Sequence, residues 1–290
     1  MITFNRPPSE FKAVFGDVRM HDAFYKFLQN IYRLYPEDRF HALIKESCTQ
    51  FGDDEAIYRH VQRQLPRIKP FHADVTYALP SLFKQKEEMA RQTLKLLGGT
   101  KRIEGYMEIG STGRYVSELR KHLDIREPIV LVNDLAPTFS PVDIAERGGL
   151  RKIGRFVPLD DYAPLPKDLP AGGFQLVTAY IGLHHCPLEK FDAFMQSIVR
   201  LLPAGGVFIV RDHDVTSDDM NTFVSLAHTV FNAGLGVPWA TNQAELRFFR
   251  PVDDWVATLA RCGLRHTGER LLQAHDPSDN VLMAFRKEGA

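Results

Sequence analysis

Residues 172–212 read GGFQLVTAYIGLHHCPLEKFDAFMQSIVRLLPAGGVFIVRD. The run FQLVTAY is a short apolar segment bounded by turn residues, the pattern of a buried strand. PLEKFDAFMQSIVRLL places its apolar residues at helical spacing. LLPAGG is a turn, and GGVFIVRDHD opens a second buried strand. A strand, a helix and a further strand in so short a span predict a parallel crossover.

Working outward, the same alternation continues. Upstream, GYMEIG is a strand candidate followed by the amphipathic stretch YVSELRKHL. PIVLVND is a strand ending on Asp134, and GRFVPLDD is a weaker one ending on Asp160 and Asp161. Downstream, VDDWVATLARCG is a helix closed by Gly263, and LRHTGERLL and NVLMAFRK are two final strands. Strands that alternate with helices predict an α/β fold with a doubly wound, mostly parallel sheet. Right-handed crossovers leave few topologies open. Ligands on such sheets bind beyond the carboxyl ends of the strands, where the strand order reverses.

The first third differs. Residues 1–98 contain no strand alternation. HDAFYKFLQNIYRLY, DRFHALIKESCTQF, DEAIYRHVQRQL and LPSLFKQKEEMARQTLKLLGG read as helices, with Pro66 and Pro70 as punctuation and a stop at Gly98 and Gly99. The expected organisation is a helical cap over 1–98 and a ligand-binding domain over 99–290, with a lid insertion at about 215–250.

Composition excludes several classes. Lys+Arg and Asp+Glu are both 36, so the net charge is zero, against a general nucleic-acid or membrane-surface binder. Cys48, Cys186 and Cys262 lie far apart with no CxxC pair, which fits a reducing, cytoplasmic setting. No apolar run reaches membrane-spanning length. MITFNRPPSE has no basic stretch followed by an apolar core, so no signal peptide is expected.

The candidate ligand residues stand at strand ends. In EIGSTGRY, Gly110 permits a tight turn and Gly113 relieves crowding where helix meets strand. The helix that follows offers N–H groups for an anion or a carboxylate. A dinucleotide site calls for GxGxxG, which is missing; instead Glu108 lies two residues before the first glycine. Such an acid suits a ligand bearing an ammonium or hydroxyl. A plain strand-to-helix turn is the bland reading. Asp134, 24 residues after Gly110, can accept from both ribose hydroxyls, or can simply cap the turn DLAPTFSP. Asp160 or Asp161 can accept the exocyclic amine of adenine, or form a polar turn before prolines.

Three acid-bearing strand ends in this order, with the stretch quoted above, make residues 100–287 resemble a class I S-adenosylmethionine-dependent methyltransferase of the small-molecule type. Glu108 and Gly110 match the glycine motif of that family, although Thr112, Gly113 and Arg114 stand where Gly, any residue and Gly are usual, and Gln175 stands where Asp is common. The resemblance implies a seven-stranded, Rossmann-like sheet with a closing antiparallel hairpin. It implies S-adenosylmethionine as cofactor, held by Glu108, Gly110, Ser111, Gly113, Asp134, Leu135, Asp160, Asp161 and Tyr180. In the family, the first histidine of the pair corresponding to His184 and His185 points toward the acceptor.

Methyl transfer from a sulfonium needs alignment, and a base if the nucleophile carries a proton. Two clusters stand where that base belongs: IGLHHCP with His184 and His185, and VRDHDV with Asp212, His213 and Asp214. His184 and His213 are the expected proton acceptors, with Asp212 or Asp214 orienting the ring. His185 is read as a substrate contact or a helix-entry hydrogen bond. His184, His213 and Asp212 could in principle gather around one ion, but no spacing matches a known metal-ligand motif, so no metal is expected. Tyr25, Tyr32, Tyr77 and Trp239, with His228 and Phe249, are candidates to line an acceptor pocket, though each alone is as well read as core. The expected partner is an enclosed small molecule with an N, O or S nucleophile, without nucleic acid or membrane, on a monomer or homodimer. Two other readings compete. A catalytically silent binding protein predicts loss of polar groups at the acceptor face, and a protein or nucleic-acid methyltransferase predicts a basic surface.

Overall fold

Every apolar run singled out above as a strand becomes one in the computed structural model, which describes residues 4–70, 77, 79–151 and 153–289. The strands are β1 (Arg102–Ile109), β2 (Asp124–Asn133), β3 (Arg155–Pro158), β4 (Leu176–Ala179), β5 (Val207–His213), β6 (Leu264–Leu272) and β7 (Asn280–Lys287). They form a seven-stranded sheet in the order β3-β2-β1-β4-β5-β7-β6. β1 pairs in parallel with β2 and β4, β2 with β3, and β4 with β5. β6 and β7 are antiparallel. β7 also runs against β5, because Gly205 N–H donates to the carbonyl of Lys287 and Lys287 N–H to that of Gly206. The doubly wound sheet with a closing hairpin is therefore as the sequence predicts.

The helices are α1 (Glu10–Gly16), α2 (Val18–Phe27), α3 (Glu37–Gln50), α4 (Asp54–Ile68), α5 (Leu79–Leu96), α6 (Val116–Leu119), α7 (Pro141–Arg147), α8 (Leu188–Leu201), α9 (Asp218–Gly234), α10 (Trp239–Ala244) and α11 (Val252–Arg261). Side-chain caps start several of them: Ser9 accepts from Lys12 N–H, Asp53 from Ala56 N–H and Ser217 from Met220 N–H. Three details depart from the sequence pattern. The stretch 21–35 is not one helix, since α2 passes into a π-helical turn at Leu28–Tyr32 that closes on left-handed Arg33. Pro66 does not end α4, which continues to Ile68, although it has no N–H to donate to the carbonyl one turn back. YVSELRKHL yields only the four helical residues of α6 before the chain turns into β2.

Contacts divide the chain into two units. The first comprises Met1–Phe83, His213–Pro251 and Gln273–Asn280, and the second Lys84–Asp212, Val252–Leu272 and Val281–Ala290. The N-terminal helices and the insertion thus share one unit and one core, in which Phe11, Phe24, Phe40 and Tyr58 meet Phe223, Val230 and Phe249. From Lys84 onward α5 belongs instead to the second unit. Its Met89 and Leu96 join Tyr106, Leu131 and Ile209 on one side of the sheet. A second core fills the other side, where Phe191, Phe194, Met195, Ile198 and Leu201 of α8 meet Val177, Phe208 and Trp255. Burial of both faces accounts for strands without alternation. Among the described residues, no helix is long and apolar enough to cross a membrane.

Candidate active site

The chain leaves β1 for β2 and β3, then returns to pair β4 on the other edge of β1. The order reverses there, so the residues after β1 and β4 flank the expected crevice. Gly110 follows β1 with φ of +85°, and a Cβ on it would lie 2.3 Å from Cδ1 of Ile181, just beyond β4. Its N–H donates to the carbonyl of Val132 at 2.7 Å. Only a glycine lets the two turns close on each other here.

Glu108 stands differently from the sequence expectation. It is fully buried, and its carboxylate turns back into its own chain. It accepts from the Ser111 hydroxyl, from Tyr115 N–H at 3.2 Å, from Val116 N–H at 3.1 Å and from the Tyr106 hydroxyl at 3.0 Å. Ser111 Oγ in turn accepts from Gly113 N–H (3.2 Å) and Arg114 N–H (2.9 Å). The N–H groups of Gly113, Arg114, Tyr115 and Val116 are thus taken by Ser111 and Glu108. Burial pushes the Glu108 carboxyl above the ordinary range, with the hydrogen bonds from Ser111, Tyr115 and Tyr106 opposing it. Arg114, in the place of a third glycine, donates to Glu146 of α7 at 2.6 Å.

The ends of β2 and β3 remain open. Asp134 is exposed, and its carboxylate accepts no hydrogen bond among the described residues. Leu135 beside it is 75% exposed. Asp160 and Asp161 both have positive φ, at 48° and 49°. Asp161 is ion-paired with Lys190 of α8, which also donates to the Asp161 carbonyl at 3.0 Å. The Asp160 side chain accepts no hydrogen bond among the described residues and is exposed.

Beyond β4, Tyr180 is drawn into the core. Its hydroxyl hydrogen-bonds with Thr93 of α5 at 2.7 Å and its ring meets Tyr115 edge-on at 4.4 Å. His184 is buried, with Nδ1 2.8 Å from Asp212 Oδ1 at the end of β5. Asp212 Oδ2 accepts from Leu183 N–H, also at 2.8 Å. One carboxylate therefore fixes both the backbone and the imidazole of the turn. Because a carboxylate only accepts, Nδ1 carries the proton and Nε2 is the basic nitrogen. Gly182 makes this possible: its φ is +83°, and a Cβ on it would lie 2.5 Å from Nδ1 and Cε1 of His184. His185 is half-buried, its ring 4.2 Å from that of His184.

The remaining expected residues lie in the first unit. His213 Nδ1 donates to the carbonyl of Ser278 at 2.7 Å, and its Nε2 lies 3.4 Å from Nε2 of His228. Phe249 meets both rings edge-on or tilted. Tyr32 is core, packed among Phe27, Tyr35, Phe40 and Phe231. Trp239 packs on Tyr58 at 5.1 Å. Tyr25 donates to Asp38, and that hydrogen bond, with burial, pushes its hydroxyl up to about 12. Tyr77 is half-buried.

No protein-family model matches this chain, and no curated protein matches it. Solved structures do. The CurJ carbon methyltransferase superposes with a TM-score of 0.51 at 13% identity, covering 93% of this chain and 71% of that one. A chain of the complex containing the Haloferax volcanii Trm112 methyltransferase activator superposes with a TM-score of 0.50 at 11% identity, covering 73% and 94%. The 1,6-didemethyltoxoflavin-N1-methyltransferase of Burkholderia thailandensis gives 0.46 at 12% identity, covering 72% and 79%. The fold is that of the class I methyltransferases.

Within this methyltransferase fold, sequence reasoning missed Gly182, Thr93 and Lys190. Gly182 reads in YIGLHH as one more turn glycine, and nothing local shows that an imidazole lies against its Cα. Thr93 and Lys190 sit on helix faces whose partners are set by tertiary packing.

Proposed function

We propose that this protein transfers a methyl group from S-adenosylmethionine to a small-molecule acceptor, with His184 as proton acceptor. The observation that carries the reading is the His184–Asp212 pair at the end of β4, on the same switch point as the Gly110 turn and in line with an open Asp134. The residues fit the cofactor. Asp134 keeps both carboxylate oxygens available for the two ribose hydroxyls, and Gly110 holds backbone where any side chain would collide. For the adenine amine we assign Asp160, since Asp161 is committed to Lys190. Glu108 and Ser111 act one step back, by holding the turn in shape.

When bound, S-adenosylmethionine supplies an electrophilic methyl on a positively charged sulfur. The chain's own task is to align the acceptor and take its proton. Nε2 of His184 has the lone pair for that step, and Asp212 stabilises the imidazolium that results. We place the base at His184 rather than His213, whose Nδ1 meets a carbonyl and not a carboxylate. The balanced charge favours a small acceptor over a nucleic acid.

Native mass spectrometry of the purified full chain tests this reading. An adduct with the mass of S-adenosylmethionine or S-adenosylhomocysteine, formed on addition and lost in Asp134→Ala, is expected. A chain that takes up NAD and neither of these would overturn it.

A further inference from the structure

Two imidazoles of the first unit converge apart from the His184–Asp212 pair. Nε2 of His213, the last residue of β5, lies 3.4 Å from Nε2 of His228 on α9. That is long for a hydrogen bond, whose N···N or N···O separation falls near 2.7–3.2 Å. It is the separation expected of two ligands on one tetrahedral ion: metal–nitrogen bonds of about 2.0–2.1 Å at a tetrahedral angle place the nitrogens about 3.3–3.4 Å apart.

The surroundings support a ligand role. His213 Nδ1 donates to the Ser278 carbonyl at 2.7 Å, which fixes the tautomer that leaves Nε2 able to coordinate. That carbonyl is itself anchored. Ser278 is fully buried, its N–H donates to Asp276 Oδ1 at 2.9 Å, and Asn280 Nδ2 donates to Asp276 Oδ2 and to Ser278 Oγ, each at 3.0 Å. The Phe249 ring packs on both imidazoles, with centroids at 5.7 Å from His213 and 5.2 Å from His228, and so restricts their rotation. The two histidines are 15 residues apart on a strand end and a helix, so no sequence spacing announces them.

We propose that His213 and His228 bind a divalent transition metal ion of the imidazole-preferring class, such as Zn²⁺, through their Nε2 atoms. Two protein ligands leave further positions for water or for a ligand atom. The inference stands apart from the methyl-transfer reading and does not need it.

The test is titration of the metal-free full chain with Co²⁺, followed by its visible ligand-field bands, and competition with Zn²⁺. One ion per chain with tetrahedral-type bands is expected. His213→Ala and His228→Ala should each weaken Zn²⁺ binding by at least about 10-fold, since loss of even an outer partner costs about 10–100-fold. His60→Ala, which removes an imidazole bonded to Ser47 in the same unit, should leave binding unchanged. Absence of stoichiometric binding by the wild-type chain overturns the proposal whatever the variants do. So does binding that survives in the folded double variant.

Discussion

His184 Nδ1 and Asp212 Oδ1 lie 2.8 Å apart across the ends of neighbouring strands, both residues almost wholly buried. The pair is set by the sheet: β4 and β5 are parallel neighbours, so their carboxyl ends emerge together. An acid that also holds Leu183 N–H cannot swing away from the ring without leaving a buried donor unmet.

The first prediction concerns the tautomer. Nitrogen NMR of the imidazoles should show His184 protonated at Nδ1, and Asp212→Asn should abolish that preference because an amide can donate as well as accept. Once an acceptor is known, His184→Ala should lower turnover at least ~100-fold with S-adenosylhomocysteine affinity nearly unchanged. Equal turnover in wild type and variant would leave His184 a purely structural residue.

Gly182→Ala should be costly although it adds one methyl group. The residue would be strained at φ of +83° and would press on the His184 ring. A loss of about 1–3 kcal/mol in urea unfolding is expected. The Nδ1 proton signal of His184 should shift as the ring is displaced. A variant as stable as wild type, with that signal unmoved, would mean that the turn relaxes freely.

Glu108 gives a pH dependence. Burial raises its folded pKa above the ordinary value of 4.5. A carboxyl so shifted binds more protons folded than unfolded, so its contribution is full below the unfolded pKa and falls as pH rises through the folded one. The amide introduced by Glu108→Gln does not ionise. The stability of wild type minus that of the variant, from urea unfolding at a series of pH values, should therefore decline with rising pH across that window and then level off. A difference that grows with pH would show that the hydrogen bonds outweigh burial.

The two acids after β3 should separate. Asp160→Ala should weaken S-adenosylhomocysteine about 10-fold or more, as for a hydrogen bond to a charged group. Asp161→Ala removes an exposed pair with Lys190 and should change affinity little. Calorimetry on both variants decides, and the reverse order would put Asp161 on adenine.

Much of the fold was legible because both faces of the sheet are buried. That requirement forces the unbroken apolar runs PIVLVN, FQLVTA and VFIVRD, and they can be found without knowing what covers them. The open acid Asp134 was legible for the same reason, as the residue that follows such a run. Glu108 was visible as an acid near a glycine, but not its direction, because the donors at Ser111, Tyr115 and Val116 exist only once the turn is formed. The hydrogen bond from Tyr180 to Thr93, 87 residues away, was not legible, because α5 meets β4 only through tertiary packing. The tyrosines and Trp239 of the first unit read equally as pocket or core, since an aromatic at helical spacing suits both. Tyr32 and Trp239 are packed in core contacts.

The central claim, that the crevice beside β1 is an S-adenosylmethionine site, is tested most directly by calorimetric titration with S-adenosylhomocysteine. Wild-type chain should bind it saturably, and Asp134→Ala should lose roughly 1.5–3 kcal/mol of binding free energy. Absence of binding by the wild type, or undiminished binding by Asp134→Ala, would contradict the account.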